Sequence, residues 1–112
     1  SLVGSEMCIR DRDYPDYAKR LGNRIKLKKS NVGILVCGSG TGMAISANKI
    51  KTIRAAVCYN LKSTRLSRQH NNANIIALGA RFTNKKLSLK LVETFLKTKF
   101  EGGRHLRRVK KI

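Results

Sequence analysis

The 112-residue chain is predicted to fold as an α/β sandwich, a parallel β-sheet flanked by helices. Three observations predict it. Short apolar runs too brief for helices recur along the chain, segments with helical spacing alternate with them, and the connections between are short. Parallel strands require crossovers of that kind, and strands buried on both faces read as near-continuous apolar runs.

The elements follow in order. From Tyr14 the apolar positions Tyr14, Ala18, Leu21 and Ile25 recur at helical spacing, and the polar cluster Lys28, Lys29, Ser30 and Asn31 closes the helix. The almost wholly apolar run 32–36 then breaks into glycines, as a central strand should. A second helix starts over 43–49, and 54–59, containing Ala55, Ala56, Val57 and Cys58, is a second strand candidate. Residues 63–70 look helical and 74–78 look like a third strand. Thr83 is placed to cap a last long helix whose apolar face is Leu87, Leu91, Val92, Phe95 and Leu96. The closing segment, 104–111, is strongly basic. With 41% hydrophobic residues the chain has material for one core, so a single domain is expected.

Composition narrows the functional classes. The longest apolar runs fall far short of the ~20 residues that cross a bilayer, and no apolar stretch follows basic residues at the start as a secretory signal requires. Cys8, Cys37 and Cys58 form an odd, widely spaced set with neither the density of a disulfide scaffold nor zinc-site pairing, which fits reduced thiols in a cytoplasmic setting. Beyond the first dozen residues the only acidic groups are Asp13, Asp16, Glu93 and Glu101. Paired-carboxylate hydrolysis, magnesium-dependent phosphoryl transfer and a metal site are hard to build from so few.

The formal charge of +19 suggests a polyanionic partner. Yet the lysines are spread over the chain, with Lys29, Lys51, Lys62, Lys86 and Lys97 at expected exposed positions. There is no Trp and no aromatic-rich strand motif for base stacking. A solvated basic surface is therefore preferred, and a basic nucleic-acid-binding module is the alternative of a different class.

Ligands of such folds bind at the carboxyl ends of the strands, which points at 37–42, at Tyr59 and Asn60, and at 79–81. Cys37, Gly38, Ser39, Gly40, Thr41 and Gly42 join a buried strand to a helix, where backbone N–H groups can converge on an anion; a tight turn is the other reading. Cys37 at that helix end is a candidate base, set against its reading as a small buried side chain. Cys58, inside its strand, is assigned to packing. His70 stands before a strand in an Asn-rich turn with Asn71, either functional or simply ending a helix. Arg104 and Arg108, four apart, share one face of a helix and suit phosphate oxygens, or belong to a solvated tail.

These residues fall in five ordered segments: DYPDYA from Asp13, GILVCGSGTGMAISANK from Gly33, Ile53 to Ala56, RQHNNANIIALGAR from Arg68, and FEGGRHLRRVKKI from Phe100. Through them residues 13–112 resemble the family of type B ribose-5-phosphate isomerases and their galactose-6-phosphate isomerase relatives. The resemblance implies a Rossmann-like sandwich, homodimers or homotetramers with active sites shared between subunits, and no cofactor or metal. It implies interconversion of ribose 5-phosphate and ribulose 5-phosphate, with galactose 6-phosphate or allose 6-phosphate as alternatives. In that reading Cys37 removes the C2 proton through an enediolate, His70 opens the sugar ring, and Ser39 hydrogen-bonds or shuttles a proton. Gly38, Ser39, Gly40, Thr41 and Gly42 bind substrate, and Asn71, Arg81, Arg104 and Arg108 match the remaining binding positions. A non-catalytic sugar-phosphate sensor would share the pocket and differ in turnover.

The family opens with a strand, a helix and a second strand, the first ending in an Asp-His pair that this chain lacks. Residues 1–12 resemble nothing in the family. They are expected to be an extraneous leader before a sugar-phosphate isomerase domain, 13–112, truncated at its start, with a bare sheet edge and doubtful folding.

Overall fold

The computed structural model describes residues 2–4 and 14–112. Four strands, β1 (Leu2–Gly4), β2 (Gly33–Cys37), β3 (Ala55–Val57) and β4 (Ile75–Gly79), form one sheet in the order β1-β2-β4-β3. All pairs are parallel. Helices α1 (Tyr14–Ile25), α2 (Thr41–Ala47), α3 (Leu61–Gln69), α4 (Lys85–Lys97) and α5 (Arg104–Lys110) complete the expected Rossmann-like α/β sandwich.

Period-2 alternation along the two central strands sorts the core into two layers. Leu35, Ile75 and Ala77 face α1 and α2 through Ala18, Leu21, Ile25, Met43, Ala44 and Ala47. Ile34, Ile76 and Leu78 face the other way, onto Leu91 and Phe95 of α4. β4 is buried at all five positions, so it is the sheet's spine.

Local chemistry sets the boundaries. Helix α1 carries Pro15 in its first turn, where a missing N–H costs nothing, with Asp16 near its start and Arg24 near its end, complementing the helix dipole. Asn60 caps α3 by accepting from Ser63 N at 2.8 Å, so the helix begins at Leu61, two residues before the expected start. The expected Thr83 cap is corrected: Asn84 accepts from Leu87 N at 2.8 Å, while buried Thr83 donates to the Gly79 carbonyl at 3.1 Å. Extended Asn84 sits one residue nearer the helix, which leaves Thr83 to tie the preceding turn to β4. Leu96, expected on the apolar face, is exposed, since α4 buries a narrower stripe of Leu91 and Phe95. Lys29, Lys51, Lys62, Lys86 and Lys97 are exposed as expected.

No element was expected in residues 1–12, yet Leu2–Gly4 pairs with Gly33, Ile34 and Leu35. A parallel edge accepts any short extended backbone, which needs no apolar periodicity to be recruited. Residues 5–13, with Cys8, Asp13 and most of the proposed leader, lie outside the described residues.

Helix α5 decides the shape of one end of the molecule. Gly102 and Gly103 turn the chain with φ of 70° and 54°, values that L side chains rarely adopt. The helix then runs from the end of α3, where Glu101 N donates to the Gln69 carbonyl at 3.1 Å, towards the loop after α2. There Val109 and Ile112 line a cleft with Ile50, Lys51, Thr52 and Ile53.

Candidate active site

The sequence-predicted residues separate into two groups at opposite ends of the sheet. At the carboxyl end, β2 finishes at Cys37 beside Gly79, the last residue of β4. The Cys37 thiol is half-buried and its Sγ accepts the Gly40 N–H at 3.3 Å, so the sulfur faces the glycine turn. A thiolate there would hold an N–H donor at the positive end of a helix. Thr41 N donates to Ser39 Oγ at 3.2 Å, and the α2 ladder begins only with Ala44 N to the Gly40 carbonyl at 3.1 Å. The N–H groups of Gly42 and Met43 stand ahead of that ladder, in the turn where helical donors lack intrahelical acceptors.

Backbone approach explains the glycines. Gly40 sits at φ 81°, and a Cβ on it would stand 3.1 Å from the Leu78 carbonyl carbon. At Gly79 a Cβ would meet the Ser39 carbonyl oxygen at 2.6 Å, and at Gly42 it would meet the Tyr14 ring at 2.6 Å. The loop is therefore pressed onto β4 and Tyr14 with no room for side chains. Arg81 lies over it: its Nε is 3.1 Å from where a Gly38 Cβ would be, and its backbone N–H donates to the Gly38 carbonyl at 3.0 Å.

Two tyrosines to which sequence reasoning assigns no role in the site complete this end. The Tyr59 hydroxyl donates to the Ser39 carbonyl at 2.9 Å, and its ring meets Phe82 edge-on at 5.2 Å. The strand-end rule had pointed at Tyr59 without a role. Tyr14 had been read only as a helix-face residue.

At the amino end, His70 caps α3, with Asn71 next to it. Its ring stacks on His105 of α5 with centroids 4.2 Å apart, and the Nε2 atoms of His70 and His105 lie 3.9 and 3.8 Å from the same Glu101 Oε1. Burial pushes the His105 imidazolium down from its ordinary range; His70, Arg104 and Arg108 add repulsion, and Glu101 opposes them. Arg104 and Arg108 are exposed on the same helix, where one turn separates them. Asn71 instead lines an open groove with Arg54, Ala55, Ser67 and Ile112. Glu101 and His105 went unsingled in the sequence, although both lie in the segment that carries the two arginines.

Cys37 and Arg81 thus share one end, and His70, Asn71, Arg104 and Arg108 share the other. The five residues of β4 lie between, a length of about 13 Å. Cys58 is packing, as expected, although it stands one residue past β3 rather than inside it: it is 1% exposed, its Sγ donates to the Ala56 carbonyl at 3.7 Å, and burial pushes its thiol up from the ordinary value. Arg54 and Arg68, part of the quoted segments, act as struts. Arg54 Nε donates to the Asn72 carbonyl at 2.8 Å, and Arg68 Nε donates to the Thr98 carbonyl at 3.1 Å with its guanidinium over Phe95.

Comparisons with known proteins agree on a family. The sequence profile described as Ribose/Galactose Isomerase matches residues 3–112, beginning inside the segment read as a leader. A probable ribose-5-phosphate isomerase B of Mycoplasma genitalium is 45% identical over 101 residues, which are 89% of this chain and 66% of that protein. The chain therefore spans about two thirds of that relative's length. The structure of ribose-5-phosphate isomerase B from Clostridium thermocellum superposes with a TM-score of 0.88 at 47% identity, covering 91% of this chain and 69% of that one. The Mycoplasma genitalium enzyme with bound ribulose-5-phosphate superposes with a TM-score of 0.88 at 43% identity, covering 91% and 68%.

Proposed function

This chain belongs to the ribose/galactose isomerase family, and from that premise we propose that it interconverts ribose 5-phosphate and ribulose 5-phosphate with Cys37 as the base. The relative that holds ribulose-5-phosphate supports the substrate. The observation that carries the mechanism is the half-buried Cys37 sulfur, which packs beside the core and accepts the Gly40 N–H of the glycine turn at 3.3 Å.

The chemistry follows from the two ends. His70 donates a proton to the ring oxygen as its bond to C1 breaks, and the C1 hydroxyl gives up its own proton through solvent to restore His70, which leaves the open-chain aldehyde. The Cys37 thiolate then takes the C2 proton, the electrons form a C1–C2 double bond, and negative charge gathers on the former carbonyl oxygen. Donors of the 38–42 turn stabilise that charge. Ser39 passes the O2 proton to O1, and the Cys37 thiol returns its proton to C1, giving the ketose with nothing gained or lost. Arg104 and Arg108 hold the phosphate and so fix the carbon chain against the base, while Arg81 guards the turn.

One chain does not bring its Cys37 to its own His70, because β4 stands between them. The working unit is therefore a homodimer, or a tetramer of such dimers, in which Cys37 of one copy meets His70, Arg104 and Arg108 of the other.

The test is turnover of ribose 5-phosphate by the purified chain. Cys37→Ala is expected to reduce kcat by 10²-fold or more, the scale of general acid–base catalysis, with unchanged thermal unfolding. Retained turnover in that variant would remove the cysteine from the mechanism, and galactose 6-phosphate and allose 6-phosphate assayed beside it decide the sugar.

A further inference from the structure

Two imidazoles and a carboxylate converge at the amino end of the sheet, on elements far apart in sequence. His70 ends α3, Glu101 precedes the glycine turn, and His105 opens α5. One potential ligand atom from each lies within 4.8 Å of the others, among the described residues. We propose that His70, Glu101 and His105 form a reversible site for a late first-row divalent cation such as zinc, and that its occupation switches the isomerase off.

Donor chemistry chooses the cation. Two imidazole nitrogens with one carboxylate suit zinc, nickel or cobalt, whereas magnesium and calcium prefer all-oxygen sets. In tetrahedral geometry, with bonds of ~2.0–2.2 Å, neighbouring donors stand roughly 3.3 Å apart. The present separations of 3.8 and 3.9 Å to Glu101 Oε1 need about half an ångström of closure. The Glu101 side chain is 51% exposed and free to swing, while His105, 11% exposed, is the fixed member. The rings now stack 13° from parallel, so they must splay for both lone pairs to meet one ion. That movement, and the positive charge of Arg104 and Arg108 nearby, make the site a weak, reversible one.

Inhibition follows from which atom is taken. A cation on His70 Nε2 withdraws a nitrogen that the ring-opening step uses, and it stands beside the arginines assigned to the phosphate. This consequence rests on the reading of His70 as proton donor; the binding itself does not.

Cobalt titration of the full chain in chelator-free buffer tests the site. One equivalent is expected to produce visible d–d absorption, which zinc displaces and magnesium leaves alone. Glu101→Gln, a change at a half-exposed position, is expected to weaken cobalt by 10-fold or more, and His105→Asn to abolish the bands. Bands that survive both substitutions, a thiolate charge-transfer band lost in Cys37→Ala, or no bands at all would each overturn the site. In turnover, zinc is expected to inhibit the native chain and EDTA to restore it, with Glu101→Gln active and insensitive to zinc. Cobalt bands without zinc inhibition would overturn the switch alone. A chain with bands but no turnover of any sugar phosphate would overturn the isomerase reading and the switch, and leave the metal site standing.

Discussion

The two ends of the sheet are built from opposite materials. At the carboxyl end, the working surface is backbone: glycines pressed against β4 and Tyr14, with a cysteine and an arginine added. At the amino end it is side chain: two stacked histidines, a shared glutamate and exposed arginines on a helix that runs from the end of α3 towards the loop after α2. The first end gains precision because close-packed backbone has few alternative positions. The second gains charge and reach, at the cost of long side chains that must be ordered when they bind. A reaction needing both a preorganised cradle for developing charge and a grip on a remote phosphate uses each end for what it does best. In the proposed mechanism that takes a second copy.

The sharpest way to break this comparison is to inactivate each end separately. Cys37→Ala and His70→Asn chains are each expected to be nearly inactive alone. When they are co-expressed, half the dimers should be mixed and each should keep one intact site of two, so activity should return to about a quarter of the native level. Absence of any recovery would mean that both ends act within one chain, and the division would fall.

Next in size is the contrast between the two cysteines, Cys37 at the end of β2 and Cys58 just past the end of β3. Iodoacetamide is expected to alkylate Cys37 roughly 10-fold or more faster than Cys58 in the native protein, read by peptide mass spectrometry. Cys58 is buried and its thiol is pushed up by that burial. Equal rates would show that the Cys37 turn is closed to solvent.

The difference in materials gives the third test. Gly79→Ala puts a methyl group 2.6 Å from the Ser39 carbonyl oxygen, and is expected to cost about 1–3 kcal/mol of stability together with turnover. Glu101→Gln at the other end should move stability by less than about 1 kcal/mol, as exposed polar changes do. Chemical denaturation of both variants compares them.

The smallest effect is a pH dependence carried by His105. Its folded pKa lies below the unfolded value of 6.5, so between the two the unfolded chain binds more protons. Its contribution to stability is then complete above 6.5 and is lost as pH falls from there through the folded value. A melting temperature that declines on acidification in EDTA, and declines less in His105→Gln, would bear this out; an identical slope in both would assign the decline to other groups.

Much of this was legible without coordinates, and particular residues show why. Helix α1 was readable from Tyr14, Ala18, Leu21 and Ile25, and β2 from its apolar run breaking into glycines, because both patterns are local consequences of burial. The partners of Cys37 were partly readable too, since a strand, a turn and a helix start are contiguous in the chain. The Asn84 cap was misplaced by one residue because Thr83 and Asn84 are both good cappers and only the backbone angles choose between them. Arg54 and Arg68 brace carbonyls, a role that composition cannot distinguish from that of a surface cation.

The sequence by itself determined the fold class, the two-sided core and the chemical character of the turn at Cys37, since all three follow from short-range pattern and residue type. Only the tertiary structure decided that His70 lies an entire strand's length from Cys37, that Glu101 and His105 come to meet it, and that Tyr59 holds the Ser39 carbonyl. Those are contacts between residues from different crossovers, and the direction in which a parallel sheet sends each crossover is a property of the whole packed layer.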